Sequence, residues 1–284
     1  MQMKNYLSLI NMPDQTWRNA INNHPIQQSI RQFLNKFPLK THRSLYGIRE
    51  LDVPSLYIWG PGWKSGQETS FDQECVKWQT FLKFGKFEFE TKRSNEPLMS
   101  PSGKLPFLML STDDVLVDDA IEKHVYDSYS ENLGSLTNEQ EANSQAYIAF
   151  ADNKLRNALL YYLWCEPANE LMTHKKYVGH YAKPLDKVLF HKYKNLAVKE
   201  LLTRKPVLDK EEIYQEADEA LQAISTVLGD TDYFFGSRLP TIIDAVIFSY
   251  IHVILNIPLR RVKVPPNLLK YSERIYNDYF LPEF

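Results

Sequence analysis

A chain of 284 residues can form two modest domains, and its 44% apolar content can fill ordinary cores. The longest apolar run, Ala245 to Leu255, is broken by Ser249 and His252 and is too short to cross a bilayer, so no transmembrane helix is predicted. Residues 1–11 lack a long apolar region and a small-residue cleavage site, so secretion is not expected. Cys75 and Cys165 are the only cysteines and form no CxxC, which excludes a disulfide framework and a structural zinc site and fits a reducing compartment. The net charge of −2 conceals segregation. Residues 1–49 carry seven Lys/Arg against Asp14 alone, and residues 174–205 carry nine against Asp186 and Glu200, which leaves an acidic remainder.

The chain begins with an arm of about 50 residues without a sheet pattern. Within it Ile26, Ile30, Phe33, Leu34 and Phe37 recur at helical spacing, with Pro25 suited to the first turn and Pro38 as a stop. Such a helix either covers core surface or docks a partner or membrane; a basic presequence is a third reading.

Ser55 to Trp59 reads as a buried strand ended by Gly60-Pro61-Gly62. Ser70 with Gln73 resembles a capping box, and Cys75, Trp78, Phe81 and Leu82 mark one helix face up to Gly85. Strand alternation at Phe87 and Phe89 completes a β-α-β unit. Leu105-Pro106 then leads into an apolar strand, Phe107 to Leu110, where a proline without an N–H belongs at the strand entrance. A hairpin through residues 111–114 brings Val115-Leu116, and Asp118 or Asp119 caps the following helix.

In the helical remainder, Thr137 with Gln140 forms a capping-box pattern before a long helix that ends at Pro167. Asp209 caps a helix with Ile213, Ala217, Leu221, Ile224 and Leu228 on one face, stopped by Gly229. Thr241 and Asp244 form a reciprocal cap ahead of an apolar helix, a folding role rather than a catalytic one. The basic segment 174–205 reads as a solvated helix-loop insertion; its interleaved aromatics and lysines also suit a nucleic-acid groove or an anionic lipid surface. His174, His180 and His191 lack metal-ligand spacing, so no metal site is expected.

Taken in order, Ser102 to Leu108 and Phe234 to Ala245 resemble the fixed points of a glutathione-transferase-like fold: an α+β, thioredoxin-like N-terminal domain followed by an all-α domain. The division implied is a basic arm over 1–50, a thioredoxin-like domain over 51–133 and a helical domain over 134–284 carrying the insertion 174–205. In that fold the strand entrance at Pro106 faces the ligand, and a serine at the next helix start holds the glutathione carboxylate. Here Asp118 and Asp119 stand there, and two like charges 4 Å apart repel by ~4 kcal/mol at an effective dielectric of 20. Glutathione is expected to bind poorly. The activating group is also hard to place: Cys75 reads as an inert core residue more than a turn inside its helix, Ser70 as a cap and Tyr57 as a strand residue.

A wider set of segments is similar to the metaxin family, and within it to a fungal precursor-recognising branch. These are Phe37-Pro38-Leu39, Leu56-Tyr57-Ile58-Trp59, Phe71-Asp72-x-Glu74-Cys75-x-x-Trp78-Gln79 and Ser100 to Leu108. The set continues through Glu216 to Leu221, Phe234-Phe235-Gly236, Asp244-Ala245 and Tyr271 to Ile275. The resemblance implies a peripheral, non-catalytic subunit of the sorting and assembly machinery on the cytosolic face of the mitochondrial outer membrane. Its partners would be the barrel-forming core subunit, a second metaxin-like subunit and β-barrel precursors, whose β-signals it helps recognise. No cofactor, metal, catalytic residue or nucleic acid is implied. Candidate contacts are Phe33, Phe37 and Leu39 in the arm and Lys104, Leu105 and Pro106 at the strand entrance, with Asp118, Thr241 and Asp244 as structural caps. Two alternatives compete: a divergent glutathione transferase using Ser70 or Tyr57, and an RNA- or synthetase-associated module of the same fold.

Overall fold

Four short strands and two helices are followed by helices alone. A computed structural model describes residues 53–64, 66–257 and 261–281; these belong to one compact unit, Glu50–Phe284. The arm helix and its candidates Phe33, Phe37 and Leu39 lie outside the described residues.

Strand β1 (Ser55–Ile58) buries Leu56 and Ile58 completely. It pairs in parallel with β2 (Glu90–Arg93), and the crossover between them is α1 (Gln73–Phe84). On its other side β1 pairs antiparallel with β3 (Phe107–Met109), which pairs with β4 (Val115–Leu116), so the sheet order is β2-β1-β3-β4. Helix α2 (Asp119–Tyr129) closes this thioredoxin-like half.

Two expectations are corrected here. The second strand lies three residues beyond Phe87, at Glu90–Arg93, with every residue exposed. Phe87 is buried just before it, because an edge strand of charged residues needs no apolar face to complete the ladder. Helix α1 starts at Asp72, whose carboxylate accepts the Cys75 N–H at 3.2 Å, and not at Ser70. The Ser70 hydroxyl instead donates to the Trp59 carbonyl at 2.5 Å and accepts from the Asp72 N–H at 3.0 Å, tying the helix approach to the end of β1. Cys75 therefore sits in the first turn.

The helical half comprises α3 (Asn138–Leu160), α4 (Glu170–Tyr177), α5 (Leu185–Arg204), α6 (Lys210–Leu228), α7 (Ile242–Asn256) and α8 (Pro266–Phe280). Thr137 and Gln140 form the expected capping box on α3, and Asp209 caps α6 through the Glu212 N–H at 2.8 Å. Helix α3 does not run regularly to Pro167; it ends in a π-helical turn, Tyr161–Cys165. Every residue of α7 from Ile242 to Ile254 is buried, as an all-round apolar helix must be in a folded core. Each fully buried Ile or Phe there contributes about 1.5–3 kcal/mol relative to exposure.

Three polar pairs join α7 to the thioredoxin-like half. Gln73 donates to Ser249 at 2.9 Å, Thr69 hydrogen-bonds His252 at 3.0 Å, and Gln67 donates to Asn256 at 2.9 Å. The basic segment 174–205 is not a solvated insertion. It supplies the second half of α4 and all of α5, and Tyr177, Phe190, Ala197 and Leu201 are buried in the core.

Candidate functional site

A cleft of about 800 Å³ opens between the thioredoxin-like half and helices α3 and α5. Gly103, Lys104, Leu105 and Pro106 form one rim beside Asp118, the first turn of α1 lies at the base, and Arg156, Leu163, Tyr193 and Glu200 line the opposite wall. The Leu105–Pro106 peptide is cis. Leu105 is buried while Lys104 is exposed. Neither the Leu105 N–H, in the Lys104–Leu105 peptide, nor the Leu105 carbonyl, in the cis peptide to Pro106, bonds to another described residue, so a donor and an acceptor stand together at the rim without a partner among the described residues.

The base is aromatic and closed. Tyr177 from the basic segment stands between Trp59 (5.3 Å between ring centres), Phe71 (5.0 Å) and Trp164 (4.9 Å), which brings the end of β1, the approach to α1 and the π turn together. Its hydroxyl donates to Asp72 at 3.4 Å. Burial pushes the Tyr177 phenol well above its usual range and raises the Asp72 carboxyl too.

The far wall is ionic. Arg156 of α3 hydrogen-bonds both carboxylate oxygens of Glu200 on α5, and its guanidinium lies 3.9 Å from Glu74 of α1. Arg204 adds a second cation to Glu200 at 3.2 Å. Burial alone would lower the Arg156 pKa and raise that of Glu200. Their mutual hydrogen bonds win in both cases, so the arginine is raised and the carboxylate lowered. Beside them the Tyr250 hydroxyl donates to Asp152 at 2.6 Å. The pair carries fixed charges that brace three helices, not a proton that moves near neutral pH.

The residues named from sequence divide cleanly. Lys104, Leu105, Pro106 and Asp118 line the cleft together. Thr241 and Asp244 do not; they sit buried at the start of α7. There the Asp244 carboxylate accepts from the Phe234 N–H (3.1 Å), the Thr241 N–H (2.8 Å), the Thr241 hydroxyl (2.9 Å) and the Tyr271 hydroxyl (3.0 Å). Burial still holds its carboxyl up at about 6, against the downward pull of those bonds. Asp118 departs from its expected role. It occupies the position before α2 with φ 46° and makes no side-chain bond to the first turn, whose Ala120 and Ile121 N–H groups reach the Val117 and Asp118 carbonyls instead.

The enzyme candidates lie outside the cleft lining. Tyr57 stacks on Phe107 at 4.5 Å, and Ser70 is buried with its hydroxyl engaged. Cys75 is wholly buried, its sulfur accepts the Trp59 N–H at 3.5 Å, and burial pushes the thiol well above its ordinary pKa. Burial, not depth in the helix, is what sets it apart from an exposed thiolate. Glu74, Arg156 and Glu200 were missed from sequence because they come from three separate helices. Only Glu74 falls within a recognised segment, and nothing local marked its role.

The segment 73–169 matches the family model described as glutathione S-transferase N-terminal domain, and 217–275 the one described as glutathione S-transferase, C-terminal domain. The chain is 33% identical to human Metaxin-2 over 199 residues, covering 66% of this chain and 74% of that protein. It is 28% identical to mouse Metaxin-1 over 241 residues, covering 79% and 74%. Among solved structures, the glutathione transferase GSTFuA3 from Phanerochaete chrysosporium superposes with a TM-score of 0.56 at 15% identity, covering 82% of this chain and all of that one. At that identity the likeness shows the fold: a thioredoxin-like half followed by an all-α half.

Proposed function

The chain belongs to the metaxin family, and from that premise we propose that it is a non-catalytic subunit of the mitochondrial outer-membrane sorting and assembly machinery, which helps recognise β-signals and insert β-barrel precursors. The carrying observation is the cleft itself. It holds about 800 Å³ of space and a Leu105 N–H and carbonyl that bond no other described residue, while Tyr57, Ser70 and Cys75 lie outside its lining. An extended segment is recognised by main-chain hydrogen bonds together with pockets for alternate side chains, and this rim offers the first beside apolar Leu159, Leu163 and Leu196. The sheet edges suit such a ligand less well: three of the four residues of β2 are charged and β4 has two residues. Lys104, Leu105 and Pro106 are thus the precursor contacts, and Phe33, Phe37 and Leu39 belong to an arm, 1–50, that reaches a partner.

In this reading the protein sits on the cytosolic face of the outer membrane, peripheral to it, held by the barrel-forming subunit and a second metaxin-like subunit. No helix among the described residues is long and apolar enough to cross a membrane, which accords with attachment through contacts.

A photocrosslinker at position 104, in the full chain within mitochondria, tests the reading. Capture of an arriving β-barrel precursor, lost when the last strand of that precursor is scrambled, is the expected result. Capture only from positions away from the cleft would overturn it, and so would retention on immobilised glutathione with measurable conjugation.

A further inference from the structure

Helices α4 and α5 leave an outward face that neither the core nor the cleft uses. Leu185, Val188 and Lys192 of α5 lie at i, i+3 and i+7, one stripe of a helix. Leu185 is 47% and Val188 62% exposed, and Leu171 of α4 is 80% exposed. The bond from Lys194 to Glu170 (2.8 Å) and the contact of His174 with Asp186 (3.5 Å) run α4 alongside the first half of α5. Among the described residues, Lys175, Lys183, Lys187 and Lys192 make no ion pair. From Leu171 to Lys199 the sole acid is Asp186, which is buried, and the exposed Glu170 that opens α4 is matched by Lys194.

We propose that this face binds an anionic bilayer surface. Charge complementarity carries the argument: on a chain of net charge −2, this is a stretch where exposed lysines stand without exposed carboxylates. The apolar members decide the kind of partner. A single-stranded nucleic acid needs exposed rings for its bases, but Tyr177 and Phe190 are buried and Tyr181 is half-buried with its hydroxyl on Glu96 at 2.7 Å. Protein interfaces favour aromatics and arginine and are poor in lysine, whereas this stretch holds no arginine. Exposed aliphatic side chains beside lysines match the boundary between headgroups and acyl chains.

The test uses the full chain and vesicles without protein. Partition onto phosphatidylcholine vesicles containing phosphatidylinositol should exceed that onto phosphatidylcholine alone by tenfold or more and fall with added salt. Each lysine at such a surface adds about fivefold, so K183Q/K187Q/K192Q should lose on the order of a hundredfold. L185S/V188S should weaken binding several-fold with an unchanged far-UV spectrum. Equal partition onto both vesicles overturns the proposal, as does a triple-lysine variant that binds like the native chain. Capture by an acidic protein but by no vesicle would assign the face to a protein partner and also overturn it. Because the vesicles hold neither precursor nor barrel protein, failure here leaves the crosslinking test of the cleft unaffected.

Discussion

Among the helix starts that carry aspartate, those of α7 and α2 behave in opposite ways. At α7, Asp244 is fully buried and receives four hydrogen bonds from three parts of the helical half. At α2, Asp118 is exposed at the cleft rim, has a positive φ and caps nothing. The residue type is the same; what differs is whether the chain surrounds it with donors. The first site is folding machinery. The second stays open to whatever enters the cleft.

The sharpest way to break this contrast is Asp244→Ala. It leaves the Phe234 and Thr241 N–H groups buried without an acceptor and leaves the Tyr271 hydroxyl only the Asp244 backbone carbonyl, and should destabilise the fold by about 3–5 kcal/mol in urea unfolding. A loss below about 1 kcal/mol would mean that the buried network does not hold the helix start.

The pH dependence sharpens the same point. Asp244 titrates at about 6 in the fold against 3.8 when unperturbed, so the folded state takes its proton first and stability rises as pH falls through that window. His252, kept neutral by burial, titrates at about 4 against 6.5. There the unfolded chain takes the proton first, and stability is lost as pH falls from 6.5 towards 4. The two trends offset each other. In Asp244→Asn the aspartate's trend is gone while every other group's stays, so stability should fall more steeply with acid than in the native chain, by on the order of 2–3 kcal/mol across the window. Parallel profiles of urea midpoint against pH would refute the assignment.

A smaller loss is expected at the cleft wall. Arg156→Met leaves Glu200 half-buried with Arg204 as its remaining cation in the wall, and should cost about 2 kcal/mol, less than full burial would give because the guanidinium is partly exposed. Smallest of all is Asp118→Gly. Relief of the positive φ offsets the added freedom of the unfolded chain, so stability should stay within about 1 kcal/mol of the native value.

The local features were legible in sequence. The capping boxes at Thr137/Gln140 and Thr241/Asp244, the cap at Asp209 and the buried strands at Leu56 and Phe107 follow from spacing that one segment carries by itself. What failed was set by distant partners. Ser70 yields the helix start to Asp72 because its hydroxyl is held by the Trp59 carbonyl across the fold. The second strand slips from Phe87 to Glu90–Arg93 because pairing with β1, not burial, defines it. Tyr177 and Phe190 looked like decoration on a basic segment and are core residues. Lys104 to Pro106, singled out through the resemblance to the transferase-like fold, do line the cleft; the Glu74–Arg156–Glu200 wall was not foreseen, because no segment contains it.

The central proposal is that the cleft receives polypeptide through the N–H and carbonyl of Leu105 rather than serving as an enzyme site. Amide hydrogen exchange at Leu105, followed as the full chain is titrated with a peptide of a barrel precursor's last strand and separately with glutathione, tests it most directly. Protection by the peptide, absent with a scrambled peptide and absent with glutathione, is the expected result. Protection by glutathione, or a precursor peptide that binds and leaves Leu105 exchanging as before, would contradict it.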